Sequence, residues 1–313
     1  MTTKPDRRFP PHGWLGIALI AVFWPVNWIV EGPRTQWGFF PLWLGYCLTV
    51  DGLCVFRNGT SLLTRSARKY AALFLVSAPA WWIFEAINLR TRNWIYVGRE
   101  HFGDLEYAAF ATLSFSTVIP AVLGTAELVA GLRVVRGMRP RAALGSDGRT
   151  TAILFGLGVL AFAGLMALPE SLFPLVWISL VLMLEPINVW RGNRSLIEWT
   201  REGDWRPVVA LGLGCLICGL FWEMWNVGSY PKWTYRVPIF GFAHVFEMPL
   251  LGYLGYVPFS WELFAIVHLA FGLAGAPRTA YVSAGYSVTQ RATATLGSVH
   301  AGGGHSVGRR SSQ

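Results

Sequence analysis

The sequence predicts an all-α, polytopic membrane protein with about eight transmembrane helices, arranged as two parallel four-helix repeats. The first observation is composition: of 313 residues, 53% are hydrophobic and 14% charged, whereas soluble domains are about 25% charged. The second is a series of apolar stretches that approach the roughly 20 residues a helix needs to cross a bilayer. The third is an internal repeat, which fixes how those stretches are grouped.

The repeat is a three-part motif that occurs once in each half of the chain. The second copy reads Trp222–Glu223–Met224–Trp225–Asn226, then Lys232–Trp233–Thr234–Tyr235, then Phe246–Glu247–Met248–Pro249. The first copy reads Phe84–Glu85–Ala86–Ile87–Asn88, then Asn93–Trp94–Ile95–Tyr96, then Leu105–Glu106. Shorter matches precede it, including Phe-Pro-Leu at 40–42 and 173–175. Four spans per half preserve orientation, so the repeats are parallel instead of inverted.

The predicted helices follow the apolar stretches in order: 14–30, 39–56, 71–89, 105–131, 150–168, 172–190, 207–227 and 244–275. The first resembles a signal peptide, but Trp24, Pro25 and Trp28 lie where small residues would mark a cleavage site, so we interpret it as a span. The last is 32 residues long and contains Pro249 and Pro258. The equally long segment 105–131 favours one kinked helix there.

Five regions follow from these helices. Residues 1–36 form a cytoplasmic segment with the first span, and 37–131 complete the first repeat half. A basic linker at 132–149 separates it from the second half, 150–275. The tail at 276–313 has no acidic residue and is rich in Gly, Ser and Thr, a composition typical of disorder.

Basic residues predict the orientation. Twenty of the 26 Lys and Arg residues fall in the segments that are cytoplasmic if the N-terminus is inside, as the positive-inside rule requires. We therefore expect a multi-pass protein of the plasma membrane with both termini in the cytoplasm. The net charge of +9 is explained by this topology and by anionic headgroups of membrane lipids, so it does not indicate nucleic-acid binding.

Four glutamates are the candidate catalytic groups: Glu85, Glu106, Glu223 and Glu247. Each falls at the predicted outer end of a helix, and acids inside spans cost about 2.5–3.5 kcal/mol on insertion scales, which makes them functional candidates. Glu and Asn three residues apart share a helical face, so each Glu-x-x-Asn is expected to point into one cavity. A carboxyl buried there is expected to be neutral and hence a proton donor.

The residues around these acids are the candidate substrate-binding set: Trp222, Trp225, Asn226, Trp233, Tyr235, Asn88, Trp94 and Tyr96. Two structural alternatives remain open. The Glu and Asn side chains would also serve to tie helices together, and Trp and Tyr near helix ends form the aromatic belt of many membrane proteins. Asp51 and Glu185, near cytoplasmic helix ends, are expected to snorkel toward Arg57 and Arg191.

A histidine precedes the acid at the start of the predicted fourth span in each half, which raises the question of a metal site. His101 and His244 precede Glu106 and Glu247 in corresponding places. Neither His has a second His three or four residues away, the spacing typical of helical metal ligands. The sequence therefore predicts no metal site.

The motif order Trp-Glu-x-x-Asn-x-Gly, Trp-x-Tyr, Glu-x-Pro resembles the small membrane lycopene cyclases, which form carotenoid rings and consist of two homologous domains. The resemblance covers about 223–249, more faintly 85–106, and the tandem architecture. It implies that Glu223 stands for the family's Asp, Trp233 and Tyr235 for its aromatic link, and Glu247 for its carboxylate pair. The chain lacks the family's Glu-Glu doublet, Glu247 precedes its proline, and the family has about three spans per half.

Two functions are consistent with these patterns. The first is an enzyme that cyclises or isomerises an apolar isoprenoid or carotenoid lipid. Glu247 or Glu106 would protonate an alkene, aromatic faces would stabilise the carbocation, and Glu223 or Glu85 would recover the proton, without a cofactor. The second is a proton-coupled transporter or lipid-binding protein. Carboxylates spread across the membrane would favour transport, and carboxylates at one depth favour a site. The sequence leaves homo-oligomerisation open.

Overall fold

The fold was derived from a computed structural model, which describes residues 8–30, 32, 36–139, 141–143, 145, 147–237, 241–278 and 281. Within these ranges eight helical segments are long and apolar enough to cross a membrane: Pro11–Ile29, Trp37–Asn58, Ala67–Thr91, Asp104–Ala130, Gly148–Ala167, Pro169–Trp190, Arg206–Asn226 and Leu250–Leu273. The prediction of an all-α polytopic membrane protein is therefore confirmed. Apart from 276–278 and 281, the predicted disordered tail lies outside the described residues, as do residues 1–7.

Thirteen α-helices make up these segments and their connections: α1 (Pro11–Ile29), α2 (Gln36–Asn58), α3 (Leu62–Arg65), α4 (Ala67–Thr91), α5 (Asp104–Phe115), α6 (Val118–Ala130), α7 (Arg133–Arg136), α8 (Gly148–Ala167), α9 (Pro169–Leu172), α10 (Ser179–Trp190), α11 (Leu196–Arg201), α12 (Arg206–Asn226) and α13 (Tyr256–Leu273). Four short strands accompany them: β1 (Trp94–Val97), β2 (Lys232–Tyr235), β3 (His244–Val245) and β4 (Met248–Pro249).

The helices of the two halves pack in corresponding ways. In the first half α2 contacts α1 on one side and α6 on the other, and α6 also contacts α4. In the second half α10 contacts α8 and α13, and α13 also contacts α12. Elements α1, α2, α4 and α6 therefore correspond to α8, α10, α12 and α13, in the order that the sequence repeat predicts.

The halves meet where α6 packs against α12. Almost every residue of α6 is buried, so this helix lies at the centre of the bundle. Gly214 permits the close approach, since a Cβ atom there would lie 2.7 Å from the backbone nitrogen of Ala126. Small residues at helix contacts are typical of membrane proteins, in which van der Waals packing contributes much of the association energy.

A two-stranded antiparallel ladder joins the halves at one end of the bundle. Strand β1 follows α4 and β2 follows α12, and the register pairs Trp94 with Tyr235 and Tyr96 with Trp233. Exchanging the two copies of the motif reproduces this register, so the ladder has local two-fold symmetry around the pair formed by Ile95 and Thr234. Because both strands lie at the C-terminal ends of their helices, α4 and α12 run in the same direction. We call this end of the bundle the ladder end.

Two predicted long helices differ from the structure. The segment predicted at 244–275 is not one kinked helix: it begins with the β3–β4 hairpin, continues as a 3₁₀ turn over Leu250–Gly255, and becomes α-helical only at α13. The segment predicted at 105–131 is divided into α5 and α6. The division falls at residues 116–117, where side-chain hydroxyls of Ser116 and Thr117 bond to carbonyls of the preceding turn, as Ser and Thr commonly do.

At the opposite end, Asp51 and Glu185 cap short helices. An oxygen of Asp51 accepts the backbone N–H of Leu63 in α3 at 3.0 Å. Glu185 Oε2 accepts the N–H groups of Leu196 and Ile197 in α11 at 2.6 and 3.1 Å. Both carboxyls are buried, so the prediction that they snorkel toward arginines is wrong: the unpaired N–H groups at a helix start attract them instead.

The largest difference between the halves is in the second membrane-spanning segment of each. In the first half, α2 is continuous from Gln36 to Asn58. In the second, a 3₁₀ turn over Phe173–Trp177 precedes α10, which begins only at Ser179. Glu262 of α13 accepts the N–H of Leu180 at 3.0 Å, which satisfies a donor that the break exposes.

Candidate functional site

A cavity of about 570 Å³ lies between the two halves next to the ladder end. Its volume is in the range of sites that enclose small organic ligands. Fifteen of its 31 lining residues are aromatic, and none of these described lining residues is Asp, Glu, Lys or Arg. The exposed leucines Leu251 and Leu254 line one side of it. The cavity therefore suits an uncharged, apolar molecule.

One face of the ladder forms part of the cavity wall. Residues two apart in a strand point to the same side, and Trp94, Tyr96, Trp233 and Tyr235 all line the cavity. Behind these rings lie two of the predicted carboxyls, one from each half. Neither carboxyl lines the cavity itself.

The carboxyl of Glu85 is held by three donors. Its Oε1 atom accepts the indole N–H of Trp81 at 3.0 Å, the indole N–H of Trp94 at 3.0 Å and the hydroxyl of Tyr96 at 2.6 Å. Trp81 lies one helical turn before Glu85 in α4, so the two side chains share a face. Glu85 is half-buried.

The carboxyl of Glu223 is held by two tyrosines. Its Oε1 atom accepts the hydroxyls of Tyr235 and Tyr256, each at 2.6 Å. The indole of Trp233 donates to the Tyr235 hydroxyl at 2.9 Å instead of to the carboxyl. Glu223 is completely buried, and its Oε2 atom has no hydrogen-bond partner. The two halves thus present one acid each, in related but unequal surroundings.

The strand tyrosines keep their protons. Burial raises the pKa of Tyr96 well above its ordinary value, and the neighbouring Glu85 raises it further. Burial likewise raises the pKa of Tyr235, with Glu223 contributing in the same direction. Both hydroxyls are therefore donors at neutral pH.

The predicted asparagines do not point into the cavity but fasten the ladder to the helices. Asn88 donates to the carbonyl of Trp94 at 2.9 Å and accepts the N–H groups of Asn93 and Trp94. Asn226 donates to the carbonyl of Trp233 at 2.6 Å and accepts its N–H at 2.9 Å. The Glu-x-x-Asn spacing therefore places one carboxyl behind the cavity and one amide on the strand that covers it.

Of the other predicted binding residues, Trp222 lines the cavity and Trp225 does not. Trp222 does so together with the four ladder aromatics. Trp225 is buried, and its ring packs against Trp43 and Trp24. Trp222 also contacts Trp43, so the two tryptophans share this contact and only Trp222 reaches the cavity.

Two predicted acids lie elsewhere. Glu106 is exposed in the first turn of α5. Glu247 lies in the β3–β4 hairpin, where its Oε1 accepts from the ammonium group of Lys232 at 2.6 Å. Neither acid lines the cavity: the segment that carries Glu247 is a hairpin and not the predicted helix end, and Glu106 is an exposed residue.

Sequence analysis missed several cavity residues that carry no motif. Trp177 of the 3₁₀ turn and Phe259 of α13 line the cavity in mutual ring contact. Trp81 and Tyr256 line it and bind the carboxyls. Of these residues only Trp81 could have been found from the sequence, because it precedes Glu85 by four residues and therefore shares its helical face.

The histidines considered as metal ligands lie apart from the acids. His101 Nδ1 is 2.5 Å from the hydroxyl of Tyr230, and His244 lies in β3. Among the described residues no group of three or more His, Cys, Asp or Glu side chains is arranged to hold a metal ion.

Comparison with known proteins adds no family assignment: no family model, no curated protein and no solved structure matches the chain.

Proposed function

We propose that this chain is an integral-membrane enzyme that cyclises or isomerises an apolar isoprenoid or carotenoid lipid by protonating a double bond. The observation that carries the proposal is the cavity: nearly half its lining is aromatic, no charged side chain is among the described lining residues, and a buried carboxyl lies behind its wall. The motif resemblance to small lycopene cyclases supports the same chemistry.

The cavity suits the intermediate that such a reaction forms. Protonating an alkene leaves a carbocation, which the π faces of aromatic rings attract. Trp222, Trp81 and Phe259 present such faces within one contiguous cluster, with centroid distances of 5.7 to 6.5 Å. Exposed leucines at one side offer an apolar route from the bilayer. Cyclisation and isomerisation change no oxidation state, so the proposed reaction requires no redox cofactor.

We assign the acid role to Glu223 instead of to Glu247 or Glu106. Glu247 is charge-paired with Lys232, whereas no described Lys, Arg or His forms an ion pair with Glu85 or Glu223. An unpaired buried charge is costly, which favours a neutral carboxyl at Glu223. A neutral carboxylic acid is a proton donor.

The test is a pigment profile of a lycopene-producing host that expresses the chain, followed by turnover measurements on the purified protein. Glu223→Gln keeps the shape but removes the acidic proton, so turnover should fall by the roughly 10²–10⁴-fold typical of general acids. Glu247→Gln is the matched control and should retain most activity. Unchanged polyenes in the host and with the wild-type protein would exclude the proposed reaction.

The alternative is a non-enzymatic lipid-binding protein. One observation favours it: the carboxyls stand behind the cavity wall and do not line it. A polyene that quenches tryptophan fluorescence saturably, without being converted, would support binding alone.

We also propose that the ladder end faces away from the cytoplasm, since the positive-inside rule puts the linker at 132–149 inside. A reporter fused after residue 142 should then report cytoplasm, and one fused at residue 230 should report the outside. The reverse result would contradict the orientation.

A further inference from the structure

One segment of the second half separates the cavity from the surroundings of the protein. It comprises residues 243–255, that is, the β3–β4 hairpin and the 3₁₀ turn, and we call it the hairpin segment. Met248, Leu251 and Leu254 of this segment line the cavity. The segment also exposes large apolar side chains, namely those of Val245, Phe246, Leu250, Leu251 and Leu254. Because Leu251 and Leu254 belong to both sets, the cavity wall here is a single layer of chain.

The exposed side of the hairpin segment matches the acyl chains of a bilayer. From Gly241 to Tyr256 the only Asp, Glu, Lys or Arg is Glu247, and an exposed apolar patch of this kind marks contact with another molecule or with a membrane. Leu250 is also the first residue of the membrane-spanning segment Leu250–Leu273. The patch is therefore continuous with a span, and the lipid at the ladder end is the partner that it fits.

The backbone of the hairpin segment is suited to this position. Backbone polar groups next to the hydrocarbon must find partners within the protein. Strands β3 and β4 pair with each other, and the N–H of Leu250 donates to the carbonyl of Ala243 at 2.8 Å. The hydroxyl of Tyr253 donates to the carbonyl of Val245 at 3.1 Å. All these bonds close within the segment, so it can move as a unit.

A single ion pair holds the hairpin segment to the ladder. Among the described residues, its one polar contact outside itself and α13 is that of Glu247, whose Oε1 accepts from the ammonium group of Lys232 at 2.6 Å. The two side chains are 33% and 27% exposed, and ion pairs so accessible to solvent are weak. The pair also neutralises the segment's one charge, which would be costly to bring near lipid unpaired. The attachment is thus one that opens readily.

The backbone at the hairpin also has the features of a moving element. Ala243 and Phe246 adopt positive φ angles of 52° and 58°, which non-glycine residues rarely adopt and which cluster at ligand clamps and switch regions. The 3₁₀ turn contains Gly252 and Gly255, whose backbones are permissive. Met248, a flexible side chain that adapts to irregular space, packs over Gly252 and lines the cavity.

We propose that the hairpin segment is a lid immersed in the lipid at the ladder end, latched to the ladder by Lys232 and Glu247, and that an apolar ligand passes beneath it between the bilayer and the cavity. The apolar nature of the ligand rests on the proposed function, but the route does not depend on the reaction that follows. The source of the ligand is the membrane, and neither water nor a soluble carrier protein delivers it.

The experiment measures entry into the cavity on the whole protein in phosphatidylcholine vesicles. Ala111→Cys supplies a reporter, because Ala111 lines the cavity and is otherwise buried. Two maleimides are compared: one carries a long alkyl chain and dissolves in the bilayer, and the other is sulfonated and stays in water. We expect the alkyl maleimide to label the reporter and the sulfonated one to leave it unlabelled. The protein without the reporter is labelled in parallel, since none of the four native cysteines lines the cavity.

Opening the latch should speed this labelling. In the reporter protein, Glu247→Gln should raise the rate with the alkyl maleimide by about two- to fivefold, the effect of losing a partly exposed ion pair. Lys232→Gln removes the same contact from the other side and replaces Glu247→Gln if that variant does not fold. Glu106→Gln is the matched control, because it makes the same change at the corresponding position of the first half, and the rate should not change.

Three results would overturn the proposal. Labelling by the sulfonated maleimide as fast as by the alkyl maleimide would show entry from water. An unchanged rate in both latch variants, or an equal increase in Glu106→Gln, would show that the ion pair does not hold a lid.

Labelling requires no turnover, so it separates this inference from the proposed function. If the wild type converts no polyene but the latch variants speed entry of the alkyl maleimide, the proposed reaction fails and the lid stands. If the wild type converts a polyene but the latch variants are labelled at the wild-type rate, the lid fails and the reaction stands.

Discussion

The two halves of the chain are most alike where they hold backbone in place and least alike where they line the cavity. The asparagines fasten the strands in the same way in both halves, and Asp51 and Glu185 cap short helices in the same way. By contrast, α2 is continuous whereas α10 follows a 3₁₀ turn. The shared parts build a common frame, and the differing parts shape one asymmetric site within it.

The break before α10 shows how that asymmetry arises. A continuous helix such as α2 contributes one residue, Phe39, to the cavity wall, whereas the 3₁₀ segment and its neighbours contribute five: Phe173, Pro174, Leu175, Trp177 and Ile178. Glu262 compensates for the backbone bonds lost at the break. The second half therefore supplies more of the wall, and it also supplies the fully buried acid, Glu223.

The largest effect on stability is expected at Glu262. Its carboxyl accepts the N–H of Leu180, and the N–H of Val181 also bonds to it. Glu262→Leu leaves both donors buried without an acceptor, at about 1–3 kcal/mol each. Thermal unfolding in detergent should show a large drop in Tm. In Glu262→Gln the amide oxygen still accepts a hydrogen bond, so the drop in Tm should be much smaller. Equal drops in both variants would show that the N–H groups at the start of α10 do not need the Glu262 acceptor.

A smaller and symmetric effect is expected at the asparagines. Asn88→Ala and Asn226→Ala each remove a side chain that bonds both the N–H and the carbonyl of a ladder residue. Each should lower the free energy of unfolding by about 1–3 kcal/mol. Thermal unfolding of the two variants side by side measures this. If only one of the two substitutions lowered stability, the two asparagines would not have equivalent roles in the two halves.

Stability should also fall at alkaline pH. The pKa values of Tyr96 and Tyr235 are raised on folding, so the unfolded chain loses these protons first, near its ordinary tyrosine pKa of about 10. Stability is then fully present below about pH 10 and declines as pH rises above it. Unfolding measured as a function of pH tests this. In the double variant Tyr96→Phe and Tyr235→Phe, the decline should be shallower than in the wild type.

The mildest change to the protein is a disulfide cross-link at the centre of the ladder's two-fold symmetry. Ile95 and Thr234 are paired across the ladder, with Cβ atoms expected about 4.5–5.5 Å apart. Cysteines at both positions should form a disulfide after mild oxidation, seen on gels of protein cleaved in the linker. Ile95→Cys with Lys232→Cys is out of register by two residues and should cross-link poorly. The four native cysteines are buried and should not interfere.

The sequence predicted the spans and the aromatic cluster but not the pairing of the strands. Trp94 and Tyr96 are 139 residues from Trp233 and Tyr235, and four-residue links between helix ends resemble an interfacial belt. The β3–β4 hairpin was also missed, because its turn residue Phe246 adopts a positive φ of 58° without being glycine. The sequence therefore predicts a helix from residue 244 with Glu247 at its outer end, which is why Glu247 is a candidate acid. Trp81 was recoverable from helical spacing, but Tyr256 becomes visible only when α13 is packed against Gly219.

The symmetry of the ladder has a consequence for half-length chains. Its register pairs Trp with Tyr in both directions, so a strand of the type Trp-x-Tyr is complementary to a second copy of itself. A polypeptide carrying only one half would expose an edge strand, and two such polypeptides would close it by an isologous contact around a two-fold axis. That dimer would hold two identical acids. Joining the copies in one chain allows the two acids to have different donors: two indoles and a hydroxyl on Glu85, and two hydroxyls on Glu223.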